Sequence, residues 1–235
     1  MHSHSLPEKS SLLRAGQVAG SVVDDASLAF AGSGAVMERC DLVEFRADAL
    51  SPGPERLAAA MQSCPVPALL TVRAHSEGGL AALSLEARQE LFQQLLPCAQ
   101  LVDVEIAHLS ALSGIVAAAR QSGVVVVASF HDFHGTPDRS VLEDLTAQAM
   151  AGGADAVKFA TTLHGSADLA TLASLQESTP TPLATMGMGP LGRVSRLLLA
   201  SLGSVLNYGY LDQPTIHGQW PARRLRELIR ELQGE

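Results

Sequence analysis

The run Val124-Val125-Val126-Val127-Ala128-Ser129-Phe130-His131 is β-branched, too short for a helix, and turns polar at its far end. It predicts a buried strand over 124–129 with reactive side chains where the strand stops. Working outward, similar short apolar runs recur at 17–21, 41–45, 68–72 and 101–105 before it, and at 156–158, 183–185 and 205–208 after it. Stretches of helical period lie between them. Residues 86–96 set Leu91, Leu95 and Leu96 on one face, with Ser84 as N-cap. Thr136-Pro137 opens a helix that carries Leu142, Leu145 and Met150 and ends at Gly152-Gly153. The stretch 194–202 stops at Gly203, and a last helix starts at Pro221 and repeats Leu225, Leu228, Ile229 and Leu232.

Strand spacings of roughly two to three dozen residues leave room for a loop, a helix and a return loop. Eight such units predict an α/β chain folded as a (β/α)8 barrel. The expectation is one catalytic domain over 1–235, with 1–15 a polar amino-terminal extension. A doubly wound sheet is the alternative; it wants a Gly-rich nucleotide turn after the first strand, and Ser21-Val22-Val23-Asp24 is not one.

Composition narrows the class. The 235 residues are 47% hydrophobic and 17% charged, as a well-buried core requires, and the formal charge of −8 argues against a nucleic-acid partner. It leaves room for a small anionic substrate, because clustered Arg outweighs a distant net charge. Cys40, Cys64 and Cys98 are odd in number and lack Cys-x-x-Cys spacing, so reduced thiols in a cytoplasmic protein are expected. The stretch 1–11 has no apolar run, and nothing approaches the roughly 18 apolar residues of a membrane span. His2 and His4 read as a frayed terminus rather than a metal site.

Barrel enzymes work at the carboxyl ends of their strands. Those ends here carry Glu44 and Arg46, Arg73, Asp103 and Glu105, Ser129 and His131, and Lys158. The spacing of two within each pair sends both side chains to one face, while Val43, Phe45, Val104 and Phe130 point the other way. The chain has two lysines, Lys9 and Lys158, against fourteen arginines. Lys158 lies in the apolar strand Ala156-Val157-Lys158-Phe159-Ala160, where burial favours a free nucleophilic amine. The competing reading is an ion pair with a carboxylate such as Glu105. His131 ends the neighbouring strand and is suited to carrying a proton. His134 reads as structural or rim; His-x-x-His on a loop lacks the helical spacing of a zinc motif. Gly78-Gly79 lets the chain bend near the pocket, and 185–192 reads as a mobile loop delivering Arg196 from the next helix.

Val43-Glu44-Phe45-Arg46-Ala47-Asp48, Thr71-Val72-Arg73 with Glu77-Gly78-Gly79, Ser129-Phe130-His131-Asp132-Phe133, Val157-Lys158, Val194-Ser195-Arg196 and Gly218-Gln219 together resemble the type I 3-dehydroquinate dehydratases. The ordered set spans Ser21 to Gln219. The resemblance implies a (β/α)8 barrel that dehydrates 3-dehydroquinate to 3-dehydroshikimate with no metal and no organic cofactor, its partner being a small carboxylated ring substrate. It implies Lys158 as the iminium-forming residue, His131 as general acid/base and Glu77 as the residue that orients it. Substrate contacts fall to Ser21, Glu44, Arg46, Arg73, Arg196, Thr215 and Gln219, and the assembly to a homodimer without nucleic-acid or membrane partners. Phe45 replaces the usual Trp, Thr215 the usual Ser, and His217 the proline usual before Gly218-Gln219; the last change bears on loop closure. A class I aldolase shares barrel and lysine but needs a phosphate site, and a silent metabolite sensor needs binding without turnover.

Overall fold

The computed structural model describes residues 8–50, 53–214 and 216–234. After a short helix α1 (Lys9–Leu12), strands and helices alternate: β1 (Val18–Val22), α2 (Asp25–Ala31), β2 (Leu42–Arg46), α3 (Pro54–Ser63), β3 (Ala68–Thr71), α4 (Leu85–Leu95), β4 (Leu101–Glu105) and α5 (Ser113–Gln121). The second half continues with β5 (Val125–Asp132), α6 (Arg139–Ala151), β6 (Ala156–Thr162), α7 (Ser166–Ser178), β7 (Leu183–Met188), α8 (Gly192–Ser201), β8 (Asn207–Tyr210) and α9 (Ala222–Gln233). The strands form one parallel sheet in the order β7-β6-β5-β4-β3-β2-β1-β8. This is the expected (β/α)8 architecture.

Period-two alternation sorts every strand into two faces. Outward residues such as Val43, Phe45, Val104, Val126, Val157 and Phe159 pack beneath the helices in one large core. Inward residues Ala19, Leu42, Leu69, Leu101, Val127 and Leu206 form a second core at the amino end of the barrel, joined from below by Leu12 of α1. Each fully buried Val or Leu contributes roughly 1.5–3 kcal/mol. Moving up the strands, the inward face changes from apolar to charged: Leu42 to Glu44 to Arg46, Leu101 to Asp103 to Glu105, Val127 to Ser129 to His131. The greasy floor is what allows a charged mouth to be held rigidly above it.

Three strands run further than expected. β5 continues through Asp132, β6 through Thr162 and β7 through Met188, with His131 opposite Ala160 and Thr162 opposite Met188. Polar residues and glycines end an apolar run, but the backbone ladder does not require apolar side chains. His131 therefore sits in a strand, and the expected loop at 185–192 shrinks to 189–191.

β7 and β8 are not paired in the sheet. The Thr185 amide donates instead to Ser204 Oγ at 3.1 Å and the Gly187 amide to Ser195 Oγ at 2.9 Å. One backbone bond crosses below, from the Val205 amide to the Leu183 carbonyl at 2.9 Å. Two serine hydroxyls thus satisfy donors that a neighbouring strand would otherwise take.

Candidate active site

A cavity opens at the carboxyl ends of the strands. Ser21, Glu44, Arg46, Arg73, Glu77, His131, Lys158, Arg196 and Gln219 all line it, whereas Thr215 lies outside the described residues, as do His2 and His4. One sheet end therefore brings together residues spread over nearly 200 positions of sequence.

Lys158 projects inward from β6 and is buried. Its strand is apolar, as expected, but its nitrogen is not isolated. Nζ lies 3.1 Å from Asp103 Oδ2 and 3.7 Å from Glu44 Oε1. Glu105, the partner the sequence suggested, is engaged elsewhere, with Arg73 at 3.4 Å and with Arg88. Nζ also stands 4.0 Å from the centroid of the Tyr208 ring. Asp103 is the hub: Arg73 pairs with it at 2.9 Å and Ser129 Oγ donates to it at 2.6 Å. Burial alone would raise its pKa, but Arg73 and Lys158 outweigh burial and hold the carboxyl well below the usual range. Glu44 accepts from Ser21 Oγ at 2.8 Å and from Thr71 Oγ1 at 3.0 Å. At rest, then, Ser21 serves Glu44, with lone pairs left for a ligand.

His131 lies on β5, beside Lys158's strand and two residues above the level of Lys158, since Ser129 is the direct neighbour of Lys158. Glu77 Oε2 is 3.1 Å from both the His131 amide and its Nδ1. Burial pushes the Glu77 carboxyl up to about 7, with Arg73 opposing and Glu105 and Asp103 adding to the rise. Burial, then Arg73 and Lys158, pushes His131 well below its ordinary value, so the imidazole is neutral.

The loop that carries Glu77 is clamped on both sides. Asp48 accepts the Arg73 amide on one oxygen and the Leu80 amide on the other, each at 3.0 Å, while Arg46 grips the same carboxylate with two N–H groups at 2.9 and 2.8 Å. Glu105 accepts the Ala74 amide at 2.7 Å. Gly78 has φ +84°, and a Cβ on Gly79 would lie 2.4 Å from the Arg73 carbonyl oxygen. The double glycine is thus required by the turn.

Arg196, from α8, enters through the gap between β7 and β8. Its Nη1 donates to the carbonyls of Gly187, Gly192 and Gly218 at 2.7–2.9 Å, and its Nε to that of Tyr208 at 3.2 Å. Among the described residues no carboxylate pairs with it, and burial lowers it to about 10. The cavity's other cations are matched to acids; Arg196 is a buried cation facing a ligand site. Gln219 accepts the Ile216 amide at 3.3 Å through its side chain.

Sequence reasoning missed several lining residues. Met186 and Met188 share the inward parity of β7, and Tyr208 follows Leu206 at period two on β8. That parity was a usable signal. Phe133 also lines the cavity, stacked near His131 with centroids 6.5 Å apart. His134 is exposed and does not line the cavity, its amide on Asp132 at 2.8 Å. Among the described residues no group of three or more His, Cys, Asp or Glu is arranged to hold a metal ion.

Comparison with known proteins gives a concordant result. The family model described as Type I 3-dehydroquinase matches residues 24–235. A 3-dehydroquinate dehydratase of Methanothrix thermoacetophila is 32% identical, with 85% of each chain covered. A catabolic 3-dehydroquinate dehydratase of Acinetobacter baylyi is 30% identical over 83% of this chain and 74% of its own. The crystal structure of the 3-dehydroquinate dehydratase of Geobacillus kaustophilus superposes with a TM-score of 0.84 at 28% identity, covering 93% of this chain and 91% of that one.

Proposed function

Because the chain belongs to the type I 3-dehydroquinase family, it is a 3-dehydroquinate dehydratase of the shikimate pathway, and we propose that it works through an iminium on Lys158 with His131 as proton carrier. The observation that carries this reading is the shared cavity: Lys158 and His131 stand on adjacent strands, two residues apart in height, around one space.

The Lys158 amine adds to the ring ketone, and loss of the carbonyl oxygen as water leaves a protonated iminium. The cationic nitrogen makes the adjacent C–H acidic. Neutral His131 takes that proton, and the C–H electron pair moves toward nitrogen to form an enamine. The enamine pushes out the β-hydroxyl, which leaves as water with the proton returned by His131. Hydrolysis frees the conjugated enone and restores the amine. Proton transfer by a placed imidazole contributes typically ~10²–10⁴-fold. Glu77 orients that imidazole, and Arg196, its Nη1 and Nε committed to backbone carbonyls, receives the substrate carboxylate through Nη2. Glu44, Arg46, Arg73, Ser21, Thr215 and Gln219 complete the substrate contacts.

Borohydride reduction in the presence of 3-dehydroquinate, followed by peptide mass spectrometry, tests the assignment. The adduct is expected on Lys158; labelling elsewhere sinks it. Lys158→Ala abolishes trapping, whereas His131→Ala retains trapping and loses turnover. The ultraviolet absorbance of the conjugated product separates dehydration from aldol cleavage.

A single catalytic domain acting as a cytoplasmic homodimer completes the reading. Its support is three free cysteines and the exposed Val194 and Leu198, one turn apart on α8, which offer apolar surface to a second copy. No helix among the described residues is long and apolar enough to cross a membrane. Light scattering on the purified protein tests the dimer.

A further inference from the structure

We propose that the face of the Tyr208 ring is a catalytic surface that stabilises the positive nitrogen of Lys158 once it has become an iminium. The proposal rests on the reading of Lys158 as the nucleophile.

The two side chains come from strands that are not neighbours: Lys158 from β6 and Tyr208 from β8, with β7 between them. They meet inside the barrel, where Nζ lies 4.0 Å from the ring centroid and each residue is 4% exposed. An aromatic face carries negative charge density, and attraction to a cation is strongest where water is excluded. The phenolic oxygen is not what engages the lysine. It is buried and has no hydrogen-bond partner among the described residues, so the surface that Tyr208 presents to Nζ is its π face.

Counting hydrogens shows why a ring belongs here beside two carboxylates. As an ammonium, Lys158 has three N–H donors, enough for Asp103 at 3.1 Å with others to spare toward Glu44 at 3.7 Å. As an iminium bonded to the substrate carbon it keeps one. Hydrogen bonding to the acids therefore shrinks when the charged intermediate forms. Attraction to an aromatic face needs no donor hydrogen, only charge nearby, and it survives the change. The ring thus supports the electron sink at the step where the neighbouring C–H is broken.

The test replaces Tyr208 with phenylalanine and with its 4-fluoro, 3,5-difluoro and 3,4,5-trifluoro analogues in the full chain. Fluorine drains charge from the ring face while barely changing its size, so packing is held nearly constant. Melting temperatures verify folding, and borohydride mapping is done first on the unsubstituted protein. An adduct away from Lys158 there overturns the nucleophile reading itself, independently of Tyr208. With the adduct on Lys158, turnover across the fluorinated series is expected to fall stepwise from the Tyr208→Phe value to a loss on the order of tenfold. A flat series overturns the proposal. So does a large loss in Tyr208→Phe, which assigns the role to the hydroxyl instead.

Discussion

At Glu77 the protonation state selects the basic nitrogen of His131. Ionised Glu77 accepts the Nδ1 hydrogen, leaving the Nε2 lone pair free for the proton transfer proposed for His131; protonated Glu77 donates to Nδ1 and forces the hydrogen onto Nε2. With Glu77 titrating at about 7, turnover is expected to fall on the acid side of neutrality, and Glu77→Gln to flatten that limb while lowering the plateau. A rate–pH profile of both proteins checks it; parallel acid limbs refute it. The same group predicts a stability effect. Between pH 4.5 and about 7 the folded chain keeps a proton that the unfolded chain releases, so raising the pH through this window destabilises the fold. Relative to Glu77→Gln, the parent should lose up to roughly 3 kcal/mol across it, read by urea unfolding at each pH.

The loop between β3 and α4 shows how an element outside the barrel governs a group inside it. Arg88, on α4, is buried, donates from Nε to the Val72 carbonyl at 2.9 Å and pairs with Glu105. Glu105 in turn holds the Ala74 amide at the start of the segment that carries Glu77. Arg88→Met leaves Glu105 charged and underpaired, which should cost roughly 3–5 kcal/mol in chemical denaturation. Gly79→Ala, whose Cβ would strike backbone atoms rather than a movable side chain, should lower turnover more than it lowers borohydride trapping. Little of this clamp was legible beforehand. Apolar runs located all eight strands, and period two sorted their faces, because both depend on burial alone. The clamping roles of Asp48 and Arg88 escaped notice because Asp48 holds the Arg73 and Leu80 amides and Arg88 the Val72 carbonyl and Glu105, and no spacing rule announces such partners. Tyr208 escaped because an aromatic on an inner strand reads as packing. The extra length of β5 escaped because His131 and Asp132 look like loop residues until their ladder partners are known.

Across the whole molecule, the charge excess hides a local arrangement of the opposite sense. The net charge is −8, yet Arg196 lies buried at the cavity without an acidic partner among the described residues. A carboxylate ligand should offset the cost of that buried cation, so an unreactive ring carboxylate is expected to raise the melting temperature. At a hundredfold excess over Kd the gain is roughly 2.7 kcal/mol, and Arg196→Met should remove most of it. The gap that admits Arg196 also bears on how the chain is assembled. Because β8 pairs with β1, with Asn207 opposite Val18, the ring is completed by contacts between the two ends of the polypeptide. Lys158 and His131 are already present in a nascent chain that has reached β6, but the anion seat waits for the carbonyls of Tyr208 and Gly218. A product interrupted before its last strand would thus carry Lys158 and His131 but lack the two carbonyls that hold Arg196 in place.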